Sequence, residues 1–319
     1  MKKSVESLTN SIREFVLQNP DKLNLPTNVT NVKLKFLGRG ESNISILVTV
    51  NNRNPVVFRI SQLYEDKIQK EYKTLSKIPS NIGPRPIHLN TDKKNIPFPF
   101  LVESFIAGES VLNWNENSLA KLARSLATLH NKTRSKRLKT ISFVTLLQRD
   151  NNHFLKNYPE LNNNKEIKVA LKSTIKYLSS RESLLDDVRQ LSIVHGDLNT
   201  DNIKEDNDKG IRFIDWELAH YNDPAREFST FYYDDMKYLN WRIHLKSTLK
   251  DYFLSKYINE SGIRDGDFKE RVLAWQIVDK AGAFIFCSWK SLVARDAKTR
   301  IKFSKTANRL RSSLKRMTI

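Results

Sequence analysis

Ser192-Ile193-Val194-His195-Gly196-Asp197-Leu198-Asn199-Thr200-Asp201-Asn202-Ile203 and Ile211-Arg212-Phe213-Ile214-Asp215-Trp216-Glu217 decide the fold of this chain. Each half opens on a short apolar run of strand type and delivers an aspartate at its end. The acidic and amide groups then fall in the order Asp197, Asn202, Asp215. That order suits a site where phosphoryl transfer is guided by charge. One carboxylate meets an acceptor hydroxyl, while an amide oxygen and a second carboxylate hold a hard cation against phosphates.

The spacing from Asp197 to Asn202 matches the D-x-x-x-x-N catalytic loop of kinases, and Asp215-Trp216-Glu217 stands where kinases carry Asp-Phe-Gly. His195-Gly196-Asp197-Leu198, Asn202 and Phe213-Ile214-Asp215-Trp216-Glu217, with Asn222-Asp223-Pro224 downstream, resemble the aminoglycoside phosphotransferase and choline kinase family. The closest likeness in motif is to the bacterial choline and thiamine kinase branch. Asn199 stands where many members carry His, and Glu227 where many carry Asp. The resemblance implies an α+β, bilobal protein-kinase-like fold. A small β-rich N-lobe over residues 1–107 would cover the nucleotide, and a larger, mostly helical C-lobe over 108–319 would hold the catalytic loop and the acceptor. It further implies ATP and Mg²⁺ as cofactors, with Asp197 catalytic and Asn202 and Asp215 as metal ligands.

The upstream sequence supplies the remaining parts. Val32-Lys33-Leu34-Lys35-Phe36-Leu37 alternates as a strand, and a second strand runs over residues 44–50. The turn between them, Gly38-Arg39-Gly40-Glu41-Ser42-Asn43, suits a loop whose backbone amides approach phosphates, so Gly38, Gly40 and Ser42 are nucleotide candidates. Without the downstream motif an ordinary hairpin would explain it equally well. A third strand, Pro55-Val56-Val57-Phe58-Arg59-Ile60, carries Arg59 where kinases carry the phosphate-binding Lys. A helix over 62–78 offers Glu71, or alternatively Glu65, as its ionic partner. Phe100 to Gly108 reads as a buried strand running into a hinge, where Glu103 and Phe105 are candidates for the adenine side.

The chain has 319 residues, a formal net charge of +19 and one cysteine, Cys287, inside an apolar run. A disulfide framework is excluded, and no apolar stretch approaches the ~20 residues of a membrane span. With no signal-peptide pattern at the N-terminus, a cytoplasmic location is expected. Much of the charge sits in two acid-free segments, residues 131–140 and 297–319, whose bland reading is a solvated surface. Helices are expected over 4–18, 117–130, 141–157, 164–190, 242–257, 268–294 and 302–314. His130 ends the second of these and reads as structural. Aromatics interleaved with acids from Phe231 to Trp241 read as core before they read as a cage for a cationic acceptor.

The expected activity is transfer of the ATP γ-phosphoryl group to a hydroxyl of a choline-, thiamine- or aminoglycoside-like small molecule. An RNA or protein kinase that holds a polyanion on its basic segments is the alternative. A catalytically silent nucleotide-binding scaffold, allowed by Arg59 in place of Lys, is another.

Overall fold

The computed structural model describes the chain apart from residues 1, 40–42, 63–64, 137, 187, 189–190, 207–209, 233–244, 265 and 319, and apart from the side chains of 2–6, 39 and 232. The chain begins with α1 (Lys2–Gln18), then β1 (Val32–Arg39), β2 (Asn43–Val50), β3 (Arg53–Ser61), α2 (Glu65–Leu75), β4 (Pro86–Asn90), β5 (Phe100–Ser104) and β6 (Glu109–Ser110). It continues through α3 (Glu116–Lys132), α4 (Phe143–Asn157), α5 (Pro159–Asn163) and α6 (Lys165–Ser179). Four short strands follow: β7 (Ser192–Val194), β8 (Ile203–Asp206), β9 (Gly210–Phe213) and β10 (His220–Asn222). The chain closes with α7 (Ala225–Ser229), α8 (Ser247–Ser261), α9 (Phe268–Val293) and α10 (Ala297–Met317). Two compact units emerge, Met1–Ser110 with Asn202–Ala219, and Val111–Asp201 with His220–Ile319.

The first unit is built on an antiparallel sheet of order β1-β2-β3-β5-β4. Alternation sorts its residues by face. Phe58 and Ile60 of β3 and Phe100 and Val102 of β5 join Ile12, Phe15 and Val16 of α1 in one buried cluster. Phe15 meets Phe100 edge-on at 5.1 Å, and Phe58 stacks on Phe100 at 5.5 Å. The intervening residues, Val57 and Arg59 on β3 and Leu101 and Glu103 on β5, therefore face the other way, and α2 packs against β3, β4 and β5. A small sheet of order β6-β8-β9 completes the unit. Gly108 enters it at φ +121°, where a Cβ would lie 2.6 Å from the Glu205 carbonyl oxygen, so only glycine fits. Phe213 N–H donates to the Ile82 carbonyl (2.8 Å), which ties β9 to the loop before β4.

The second unit is helical around α9, whose buried residues include Trp275, Ile277, Ala281 and Ile285. Asn115 caps α3 reciprocally with Ser118. The helix therefore starts at Glu116, one residue before the 117 expected. Phe231 is buried and packs on Phe253 at 4.9 Å, beside Phe228, so it is core. The rest of that aromatic run, residues 233–241, lies outside the described residues. The helix expected over 164–190 ends instead at Ser179. The chain turns there, and the Glu182 carboxylate accepts from the N–H groups of Phe143 (3.2 Å) and Val144 (3.1 Å) at the start of α4. This interaction satisfies orphan donors that a continuous helix could not reach.

Asp223, fully buried, accepts from Arg271 Nε (2.8 Å), Trp275 Nε1 (2.9 Å) and Ala225 N–H (3.1 Å). Its loss would strand a buried guanidinium. The Asp223→Ala variant is expected to lose about 3–5 kcal/mol of stability. Chemical denaturation of the two proteins side by side measures this, and an unchanged midpoint would contradict it.

Candidate active site

The α2 face of the first sheet carries a cluster of buried charge. Arg59 lies with its Nε 2.9 Å from Glu71 Oε1, close as an ion pair but angled away from a hydrogen bond. Its Nη2 donates to Asp215 Oδ1 at 2.6 Å. Glu103 is buried within the field of the same guanidinium. Glu65, the other glutamate considered for Arg59, pairs with Lys93 at 2.9 Å. Burial opposes the Arg59 charge, but Glu71, Asp215 and Glu103 together outweigh it and hold the guanidinium's pKa above its usual value. Burial pushes the Glu71 carboxyl up to about 7 against the pull of Arg59. It pushes Glu103 up to about 8, with Glu71 and Asp215 adding to the rise and Arg59 opposing it.

Asp215 follows β9 at φ +65°, a left-handed conformation that few non-glycine residues adopt, and its side chain stays 37% exposed. The local backbone thus aims one carboxylate oxygen at Arg59 while leaving the group partly open. Asn202 is buried, and its carbonyl accepts from Ile214 N–H (3.0 Å), so Asn202 and Asp215 are held on neighbouring segments. Glu217, two residues on, accepts from Asn43 Nδ2 at 3.0 Å at the start of β2. Neither Asn43 nor Glu217 was singled out from the sequence, though both flank motifs that were. Gly38 lies in β1 beside a bulge, with open space where a Cβ would stand. The Phe105 N–H donates to the Pro55 carbonyl (3.4 Å). Gly40 and Ser42 lie outside the described residues.

Asp197 belongs to the second unit. It is half-buried at the end of β7, and its Oδ2 accepts from Asn199 Nδ2 at 3.2 Å. The loop behind it is fixed by Glu227, a fully buried residue of α7. Glu227 accepts from the N–H groups of His195 (2.5 Å) and Gly196 (3.3 Å). Gly196 turns at φ +80°. Burial favours the neutral form of Glu227, yet His130, its Nε2 3.7 Å away, with His195 adding its charge and its N–H bond, holds the carboxyl below the usual range. His130 Nδ1 in turn meets the Tyr257 hydroxyl at 2.7 Å. His130 is thus a structural residue behind the loop. Glu227 was named from the sequence only by its place after Asp223-Pro224, with no task attached.

Residues 33–264 match the model of the phosphotransferase enzyme family (APH). The chain belongs to that family. No curated protein sequence matches it. The fold of this phosphotransferase is shared with a Ralstonia eutropha protein assigned as an aminoglycoside phosphotransferase (15% identity, 97% of this chain and 98% of that one, TM-score 0.66). It is shared also with Plasmodium vivax ethanolamine kinase (13%, 94% and 86%, 0.66). A third neighbour is aminoglycoside phosphotransferase APH(4)-Ia in ternary complex with AMP-PNP and hygromycin B (12%, 90% and 96%, 0.57). The kinase-like fold expected from the motifs is therefore the fold of the chain, and the enzyme is a phosphotransferase. Among the described residues no helix is long and apolar enough to cross a membrane.

The raised carboxyl of Glu103 has a pH consequence. Between pH 4.5 and about 8 the native protein holds a proton there that the unfolded chain has released. Native binding of extra protons makes stability fall as pH rises through that window. The Glu103→Gln variant cannot ionise. Its melting temperature relative to the wild type is expected to rise steadily from pH 5 to pH 8, read by thermal unfolding without nucleotide. A difference that stays flat or falls would show that Glu103 is ionised throughout.

Proposed function

We propose that this phosphotransferase moves the γ-phosphoryl group of ATP, with Mg²⁺, to a hydroxyl of a small amino alcohol or amino sugar, such as a choline-, thiamine- or aminoglycoside-like acceptor. The observation that carries this reading is the buried Arg59 bridging Glu71 of α2 and Asp215 after β9. A strand-borne cation held by a helix glutamate is the device that grips the α- and β-phosphates in kinases. A guanidinium suits that task, since its planar donors match phosphate oxygens bidentately.

Asp215 and Asn202 fit a magnesium ion. They offer a partly exposed carboxylate and an amide oxygen, the hard donors that Mg²⁺ takes before completing its shell with phosphates and water. Bound there, the metal supplies charge neutralisation that lets an oxygen nucleophile approach a phosphate. Gly38, Gly40 and Ser42 cover the triphosphate with backbone amides, and Glu103 and Phe105 border the base. Asp197 accepts a hydrogen bond from the acceptor hydroxyl and takes its proton as the new P–O bond forms and the bond from the γ-phosphorus to the β,γ-bridging oxygen breaks, releasing ADP. Its loop is set in advance through Glu227, so no reorganisation is required at the moment of transfer.

Ethanolamine kinase and the hygromycin B complex among the structural neighbours favour a polar small-molecule acceptor. Nothing comparable favours RNA or protein as the acceptor.

Turnover of γ-labelled ATP against a panel of amino alcohols, aminoglycosides and RNA tests the proposal. At least one small hydroxyl compound should be phosphorylated. Asp197→Ala is expected to lower that turnover about 10²–10⁴-fold while leaving nucleotide affinity largely intact. Asp215→Ala should instead remove the magnesium dependence of nucleotide binding, followed by titration calorimetry. Full turnover in the Asp197 variant would refute its role.

A further inference from the structure

The activity leaves the basic segments of the second unit unused. α10 is 21 residues long, roughly 31 Å at 1.5 Å per residue, and carries no acid. It packs on α9 through Phe303, Leu310 and Leu314. Lys298, Lys302, Lys305, Arg309 and Arg316 recur at intervals of four, three, four and seven, so they form one row along the exposed side of the helix. α6, packed against α10 on a side away from that row, carries a second basic row. On α6, Lys165, Lys168, Lys172 and Lys176 recur at three, four and four, all exposed, opposite the buried Ile167, Thr174 and Leu178. The two helices are in contact. Arg311 of α10 pairs with Glu166, the only acid of α6, and Thr318 donates to Ser173 at 3.5 Å. These contacts use up the one acid between the rows.

Aliphatic side chains stand exposed in this basic face. Val169 on α6 and Ile301 on α10 are 61% and 55% exposed, and Leu292 and Val293 close the adjoining end of α9 at 49% and 40%. We infer that the α6–α10 face docks on an anionic lipid surface. Lysines lay their stems along such an interface with the ammonium groups at the phosphates, while the aliphatic residues enter the acyl boundary. A nucleic acid would be met by the same charge. Stacking platforms are what a single-strand binder adds, and the exposed large apolar side chains of α6, α9 and α10 among the described residues are all aliphatic.

Co-sedimentation of the full-length protein with phosphatidylcholine vesicles, with and without phosphatidylserine, tests the inference. Binding is expected to the serine-containing vesicles alone and to weaken with salt. At about 1 kcal/mol per basic residue, each lost charge lowers affinity roughly five-fold. Reversal of α10 charges (K302E, K305E and R309E together) and, separately, of α6 charges (K168E and K172E) should each lower binding by at least about 25-fold. Melting temperature and turnover should not change. The V169S and I301S pair should weaken vesicle binding but leave poly(U) binding unaltered. Absence of binding, or equal binding to neutral vesicles, overturns the inference. Tighter binding of poly(U) than of vesicles, with V169S and I301S without effect on either, assigns the face to nucleic acid and overturns it as well.

Discussion

A guanidinium cannot be buried alone, and the first unit is arranged around that constraint. Arg59 sits 6% exposed on the middle strand of a five-stranded sheet. Strand alternation sends Phe58 and Ile60 to the α1 core and leaves Arg59 on the opposite face, where an uncompensated charge would cost several kcal/mol. Glu71 answers from α2, Glu103 from β5 and Asp215 from the turn after β9. Each carboxylate comes from a different element, so the ion cluster also fixes the mutual position of those elements. The left-handed backbone at Asp215 follows from the same demand, because it lets a residue at the end of a strand aim back at the sheet.

The second unit solves an analogous problem with a buried anion. Glu227 is satisfied by the two backbone N–H groups of the loop before Asp197, with His130 Nε2 3.7 Å away. Backbone donors do not swing away as long side chains can. The loop geometry is therefore tied to α7 and, through His130 and Tyr257, to α3 and α8. The Glu227 carboxylate reaches both N–H groups.

Much of this was legible in the sequence because the informative parts are local. The residues from His195 to Asn202 and from Phe213 to Glu217 state spacing and chemistry within one loop each, and Arg59 and Glu71 could be named because a strand and a following helix stand where kinases carry their Lys and Glu. Glu227 was not legible: its partners lie 31 and 32 residues upstream, and an acidic residue after a proline has no periodicity to betray it. The second lysine row escaped for another reason. Lys165 to Lys176 reads as an ordinary solvated helix face until α10, more than a hundred residues later, packs beside it. The end of α6 at Ser179 was likewise decided elsewhere, by the unfilled N-terminus of α4.

The net charge of +19 is a poor guide to the field around Arg59. Around Arg59 the balance is reversed. Glu71, Glu103 and Asp215 surround one guanidinium, and Glu217 adds to the potential that raises Glu71. Burial first, and then the neighbouring carboxylates, push Glu71 and Glu103 toward neutrality, and protons there relieve that excess. On the proposed function, a triphosphate that arrives with a divalent cation brings compensation of its own for the carboxylates around Arg59.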